Sequence, residues 1–143
     1  MAVDSIGKVQ AIDCDGPASI NNNFTRQGSI GFPSAVMIAA TWNTDLAHDF
    51  GTSIGKMADD MNVSGWYAPA MNIHRSAFAG RNFEYYSEDG FLSGMMSAYE
   101  VKAIQDKGVH VVMKHFALND CEQDRIGLGV WLNEQAAREV YLK

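Results

Sequence analysis

At 143 residues, 47 % hydrophobic and 20 % charged, the chain has the length and apolar content of one domain with one buried core. Eleven Lys and Arg against 17 Asp and Glu leave a formal net charge of -6 and no basic cluster, which argues against nucleic acid and anionic membrane surfaces as partners. Apolar runs such as AVMIAA are short and broken, well below the roughly 20 residues that a spanning helix needs.

The start, MAVDSIGKVQ, has no basic region followed by an apolar stretch, so no signal peptide is visible and a soluble, cytoplasmic chain is expected. Cys14 and Cys121 are too few for a disulfide framework and lack zinc-site spacing, so both are expected as reduced thiols. His48, His74, His110 and His115 show no H-E-x-x-H spacing, and no G-x-x-x-x-G-K-S/T or G-x-G-x-x-G loop occurs. Neither a metal nor a cofactor is expected. His110 is read as a core or strand-end histidine and His48 as a helix-surface one.

The first apolar piece, KVQAIDC, reads as a strand running into DGPASINNN, where Asp-Gly-Pro reverses the chain and the Asn run forms a solvated loop. After Pro33, SAVMIAA reads as a second strand that ends at TWN. From Asn43 or Thr44 to about Met61 the spacing predicts a helix, with Thr44 as its cap and Asp45 in its first turn. Leu46, Phe50, Ile54, Met57 and Met61 recur there at threes and fours.

SGWYAPAMNI predicts a third strand leading into GRNFEYYSED, a loop unusually rich in rings and charge. A helix from about Gly90 to Lys107 follows, with Leu92, Met95, Met96, Tyr99, Val101 and Ile104 on one face. Glu88 and Asp89 suit the start of that helix, where the dipole favours negative charge. VHVVMKHFAL predicts a fourth strand, and Asn133 or Glu134 opens a last helix, EQAAREVYLK. Strands alternating with helices predict an α/β fold with parallel pairing and right-handed crossovers.

In parallel α/β architectures ligands sit beyond the carboxyl ends of the strands. The unusual polar residues fall there: Asp15 after the first strand, Trp42 and Asn43 after the second, Arg75 and Arg81 after the third, and Lys114, His115, Asn119 and Asp120 after the fourth. Acids, Arg, Lys, His and Asn interleaved with Trp and Tyr offer donors and acceptors beside flat apolar faces. A sugar ring, with hydroxyls on its rim and C–H groups on its faces, matches that mixture better than a phosphate or an apolar ligand. Of Phe83, Tyr85 and Tyr86, at least two are expected to be packing residues.

Taken together, DGPA (Asp15 to Ala18), ATWNTDLAHDFG (Ala40 to Gly51), GRNFEYYSEDGFLSG (Gly80 to Gly94), KHFALND (Lys114 to Asp120) and EQAAREVYLK resemble the N-terminal domain of glycoside hydrolase family 3, in its β-glucosidase branch. The resemblance spans nearly the whole chain, with the motifs in the family's order. It implies a partial (β/α)8 TIM-like barrel of about four parallel strands with intervening helices, residues 1–143 being a single partial barrel domain.

The resemblance also implies an activity: retaining hydrolysis of terminal, non-reducing β-D-glucosyl residues by a longer parent, acting on β-glucosides or oligosaccharides. Asp15, Arg81, Lys114 and His115 would bind hydroxyls of one sugar, with Glu84 bracing Arg81 and Arg125 as a second supporting residue. The remainder of the barrel and a C-terminal sandwich domain would be the missing partners.

Two departures from the family pattern bear on function. Relatives continue D-G-P-x-G-x-R where this chain has DGPASINN, so an arginine contact is missing there. Retaining hydrolysis also needs a nucleophile and an acid/base about 5 Å apart, and the family's S-D-W nucleophile context is absent from this sequence. No catalytic residue is therefore assigned to this chain, and no hydrolysis is expected of it alone. KHFALND in place of K-H-F-P-G-x-G disfavours the β-N-acetylglucosaminidase branch. The alternative is a non-catalytic carbohydrate-binding or assembly module.

Overall fold

The computed structural model describes residues 2–8 and 10–143. Val9, within the first expected strand, lies outside the described residues. Three adjacent strands run parallel: β1 (Asp13–Asp15), β4 (Gly65–Tyr67) and β5 (His110–Val111). The connection from β1 to β4 carries α1 (Ala35–Ala40) and α2 (Thr44–Asp60), and that from β4 to β5 carries α3 (Gly90–Gln105). Alternating strands and helices thus build the expected α/β layer, with β4 between its two parallel neighbours. Beyond β5, α4 (Glu134–Ala136) continues as a π turn over Ala137–Tyr141.

One expected strand is a helix. SAVMIAA forms α1, which buries Ala35, Ile38 and Ala39. Spacings of three and four place those residues on one helical face, and Ala is the strongest helix former, which outweighs the β-branched Val36 and Ile38. The sheet is completed instead by a hairpin of β2 (Asn21–Asn22) and β3 (Gln27–Gly28), antiparallel to each other and laid on the outer side of β1.

The hairpin occupies the stretch expected as a solvated loop. Asn22 is fully buried, and its side-chain oxygen accepts from the backbone N–H groups of Phe24 and Thr25 at 3.0 and 3.1 Å. An Asn that turns the chain through its own side chain is an Asx turn, so the Asn run here shapes structure.

The long helices start where side chains satisfy their first N–H groups. Asn43, rather than Thr44, caps α2, accepting from Asp45 and Leu46 at 2.9 and 3.1 Å. Asp89 caps α3, accepting from Phe91 at 2.8 Å. Each such cap contributes about 1 kcal/mol. The two helices pack closely because α2 turns Gly51 and Gly55 towards α3, and a Cβ on Gly51 would strike the Glu100 carbonyl oxygen and Ala103.

That close approach selects the buried face of α3. Ser93, Met96, Ser97, Glu100, Ala103 and Ile104 face inward, whereas Met95 and Tyr99, expected on the buried face, are 37 and 40 % exposed. On α2, likewise, Ala47, Phe50, Ile54 and Ala58 are buried while Leu46 is exposed.

The core gathers under β1 and β4. Phe50 lies between Phe32 and Trp66, with ring centroids 5.3 and 6.3 Å away. Trp66 is wholly buried, and its indole N–H donates to the carbonyls of Gly16 and Ser19 at 2.9 and 3.3 Å. The core thereby grips the Asp15-Gly16-Pro17 turn from beneath. Gly16, at φ +122, holds a conformation that L side chains rarely adopt.

Candidate functional site

Side chains alternate across a strand, so Cys14 points into the core and Asp13 and Asp15 share the opposite face of β1. Beside them Tyr67 ends β4, in register with Asp15. Lys114 follows β5 and is bridged to Ala70. The step from an apolar strand to Lys114 and His115 therefore places both next to Asp15.

Lys114 Nζ donates to Asp15 Oδ1 at 2.5 Å and lies 5.1 Å from the centroid of the Tyr67 ring. The ammonium is buried, its side chain 5 % exposed, while that of Asp15 is 58 % exposed and available from solvent. Burial alone would push the Asp15 carboxyl up. The hydrogen bonds from Lys114 and the Gly16 N–H, with the charges of Lys114 and Arg81, outweigh it and hold Asp15 below the usual carboxylate value. Asp15 is thus ionised at neutral pH, suited to accept from a hydroxyl and unsuited to act as a general acid.

Arg81 reaches the same face from the GRNFEYYSED loop. Its guanidinium forms an ion pair with Glu84, lies 3.5 Å from Glu122, and contacts His115 Nε2 through Nη2 at 3.1 Å. Arginine only donates, so Nε2 must carry the lone pair and Nδ1 the proton. The Nδ1 side agrees, with Asn72 Oδ1 at 3.3 Å and the Tyr85 hydroxyl at 3.2 Å. Burial, then the charges of Arg81 and Lys114, lower the His115 pKa against the opposing pull of Glu84 and Asp15, so the imidazole is neutral.

Asn72 also brackets the backbone of His115, accepting from its N–H at 2.7 Å and donating to its carbonyl at 2.8 Å. The Tyr85 hydroxyl accepts from Asn119 at 2.8 Å. Burial raises the Tyr85 pKa, so the phenol stays protonated.

Asp15, Arg81, Lys114 and His115 accordingly share one wall, with Glu84 on the guanidinium. Among the described residues Arg125 is joined to the cluster through Glu122, at 3.3 Å from it. Trp42 and Asn43 lie at the junction of α1 and α2, where Asn43 caps α2 and Trp42, 73 % exposed, lines a cavity with His74, Tyr86 and Ser87. Tyr85 and Tyr86 are buried and Phe83 is exposed; Tyr86 belongs to the core cluster, whereas Tyr85 turns its hydroxyl to His115 and Asn119. Asn72 escapes a reading of the sequence, where its only signal is a lone amide within the apolar run APAMNI.

A cavity of about 280 Å³ adjoins the wall, lined by Asn72, Lys114, His115 and Phe116 with Tyr141 and Leu142 from the last turn. Both cysteines are free, Cys14 in the core and Cys121 partly buried. Among the described residues no group of three His, Cys, Asp or Glu is placed to hold a metal, and no helix is long and apolar enough to cross a membrane.

Residues 14–128 match the model of the glycosyl hydrolase family 3 N-terminal domain. The chain belongs to glycosyl hydrolase family 3. Among its family 3 relatives, β-glucosidase A of Butyrivibrio fibrisolvens is 43 % identical over 140 residues, covering 96 % of this chain and 17 % of its own length. Thermostable β-glucosidase B of Acetivibrio thermocellus is 39 % identical over 124 residues, or 87 % of this chain and 16 % of that one. This chain therefore spans about a sixth of the length of those curated relatives.

In three dimensions, β-glucosidase 3B of Thermotoga neapolitana in complex with glucose superimposes with a TM-score of 0.90 at 38 % identity, covering 99 % of this chain and 21 % of that one. A β-glucosidase from Streptomyces venezuelae in complex with D-glucose gives 0.92 at 30 % identity, with 99 % of this chain and 18 % of that one covered. The fold is thus that of part of a family 3 barrel domain, with a hairpin where a solvated loop was expected and a short helix where a parallel strand was expected.

Proposed function

We propose that this chain is a single partial barrel domain supplying the sugar-binding wall of a retaining, exo-acting β-glucosidase. In this reading its substrates are β-glucosides or oligosaccharides, and the rest of a barrel and a sandwich domain complete the pocket. The observation that carries it is the juxtaposition of Asp15–Lys114 and Arg81–His115 on one face at the ends of the parallel strands. An ionised acceptor beside two cations and a neutral imidazole suits the vicinal hydroxyls of a pyranose, whose C–H faces suit Tyr67.

The catalytic carboxylates lie outside these residues. Asp15, Glu84 and Glu122, the acids of the cluster, are each committed to a cation, whereas hydrolysis with retention needs one free nucleophile and one protonated acid about 5 Å apart.

The test is saturation-transfer NMR with glucose, together with turnover of an aryl β-glucoside, on the 143-residue chain and its Asp15→Ala variant. The expected result is saturation transfer to glucose from the wild-type chain, none from the variant, and turnover by neither. Turnover abolished by Asp15→Ala would mean that catalysis resides here, and no transfer to glucose from either chain would remove the sugar-binding role.

A second reading, a non-catalytic carbohydrate-binding or assembly module, is favoured by Phe116, Ile126 and Trp131, which are 91, 94 and 94 % exposed. Glucose binding by a stable oligomer would support it.

A further inference from the structure

The loop that carries Arg81, Glu84 and Tyr85 is tied down at several points. The His74 N–H donates to the Ser87 carbonyl at 3.1 Å, His74 Nε2 lies 3.0 Å from the Tyr85 carbonyl, and Asn82 Nδ2 donates to the Ser76 carbonyl at 2.7 Å. The remaining tie runs inward. Tyr86, next to Tyr85, enters the core and donates its hydroxyl to Glu100 Oε2 of α3 at 2.6 Å. The two rings and the acid are all within 2 % of complete burial.

We propose that Glu100 is a positioning residue for the sugar-binding wall: by holding the Tyr86 hydroxyl from inside α3, it fixes the loop that sets Arg81 against His115.

The geometry makes the tie rigid at both ends. The Glu100 backbone is held close to α2, its carbonyl oxygen lying where a Cβ on Gly51 would fall. Tyr86 is enclosed, 2 % exposed and part of the same buried core cluster as Met96 and Ile104. A buried acid is costly, and an apolar residue of similar volume would pack α3 without that penalty. What an apolar residue would not supply is an acceptor at the end of the Tyr86 ring. From there the path to the wall is short: Tyr86 to Tyr85 through the backbone, and the Tyr85 hydroxyl to His115.

This inference rests on reading Arg81 and His115 as sugar-holding groups. Its test reads the imidazole directly and without sugar, so either can fail while the other stands. The His115 ring resonances are followed against pH by NMR in the 143-residue chain, assigned by their disappearance in His115→Gln. In Tyr86→Phe and Glu100→Ala the loop loosens, Arg81 draws away, and the His115 midpoint moves upward. Glu100→Gln keeps an acceptor for the tyrosine and leaves the midpoint where it is. Should Glu100→Ala fail to fold, Tyr86→Phe, which removes one oxygen, decides alone. An unmoved midpoint in folded Tyr86→Phe overturns the proposal. So does Glu100→Gln shifting the midpoint as far as Glu100→Ala.

Discussion

Asp15 and Lys114 meet at 2.5 Å although 99 positions separate them, and they meet unequally, the ammonium enclosed and the carboxylate open to solvent. The attraction itself is screened on the Asp15 side. Removing the acid nevertheless strands a buried cation. Asp15→Ala is expected to cost about 1–3 kcal/mol in urea unfolding. Lys114→Met, which removes the charge and keeps the volume, should cost less than about 1.5 kcal/mol. Equal costs would show that the ammonium finds water when its partner is gone.

The same pair sets an acid limb. Because the folded-state pKa of Asp15 is lowered, its contribution is present above the unfolded value and lost as pH falls through the folded one. The stability gap between wild type and Asp15→Asn should therefore close below about pH 4. A gap that stays constant from about pH 6 to about pH 2 contradicts the assignment.

Glu100 has the opposite sign. Desolvation raises its pKa to about 8, against a lowering by the Tyr86 hydrogen bond. The folded state then holds a proton that the unfolded chain has already released. Stability from this group is full below the ordinary carboxylate value and declines as pH climbs towards 8, on the order of 1 kcal/mol per pH unit. Thermal unfolding of Glu100→Gln should lack that decline, so the variant gains on the wild type between about pH 5 and about pH 8. Parallel curves for the two proteins would sink the idea.

The helix packing gives a steric prediction. A methyl group at Gly51 meets the Glu100 carbonyl and Ala103, so Gly51→Ala should destabilise by about 1–3 kcal/mol through overpacking. Gly28 has nothing within 4 Å of a built Cβ and serves as the control, expected to stay within about 0.5 kcal/mol. Matching denaturation midpoints for the two variants would refute tight packing at Gly51.

What can be read in advance follows local chemistry. Both long helices, the parallel strands and the polar cluster at their ends are visible because caps, periods and abrupt apolar-to-polar steps act over a few residues. Composition misleads at α1, although the spacing of Ala35, Ile38 and Ala39 carries the helical period. Asn22, Asn72 and Glu100 are hidden for another reason. Each is a polar residue buried against partners brought near by the turn or the tertiary fold, and apolar counting assigns such positions to the surface. The buried face of α3 is misplaced likewise, since Gly51 on a different helix selects it.

The β2–β3 hairpin also bears on how the chain emerges during synthesis. Its last strand is complete at Gly28, before α1 exists, so β1 acquires its flanking partner from its own neighbourhood. Domains assemble from the N-terminus as they are made, and a short local hairpin blunts the edge it covers. The later strands β4 and then β5 add on the other side of β1. A nascent sheet whose first strand is flanked so early exposes fewer of that strand's unpaired backbone groups to its neighbours on the polysome.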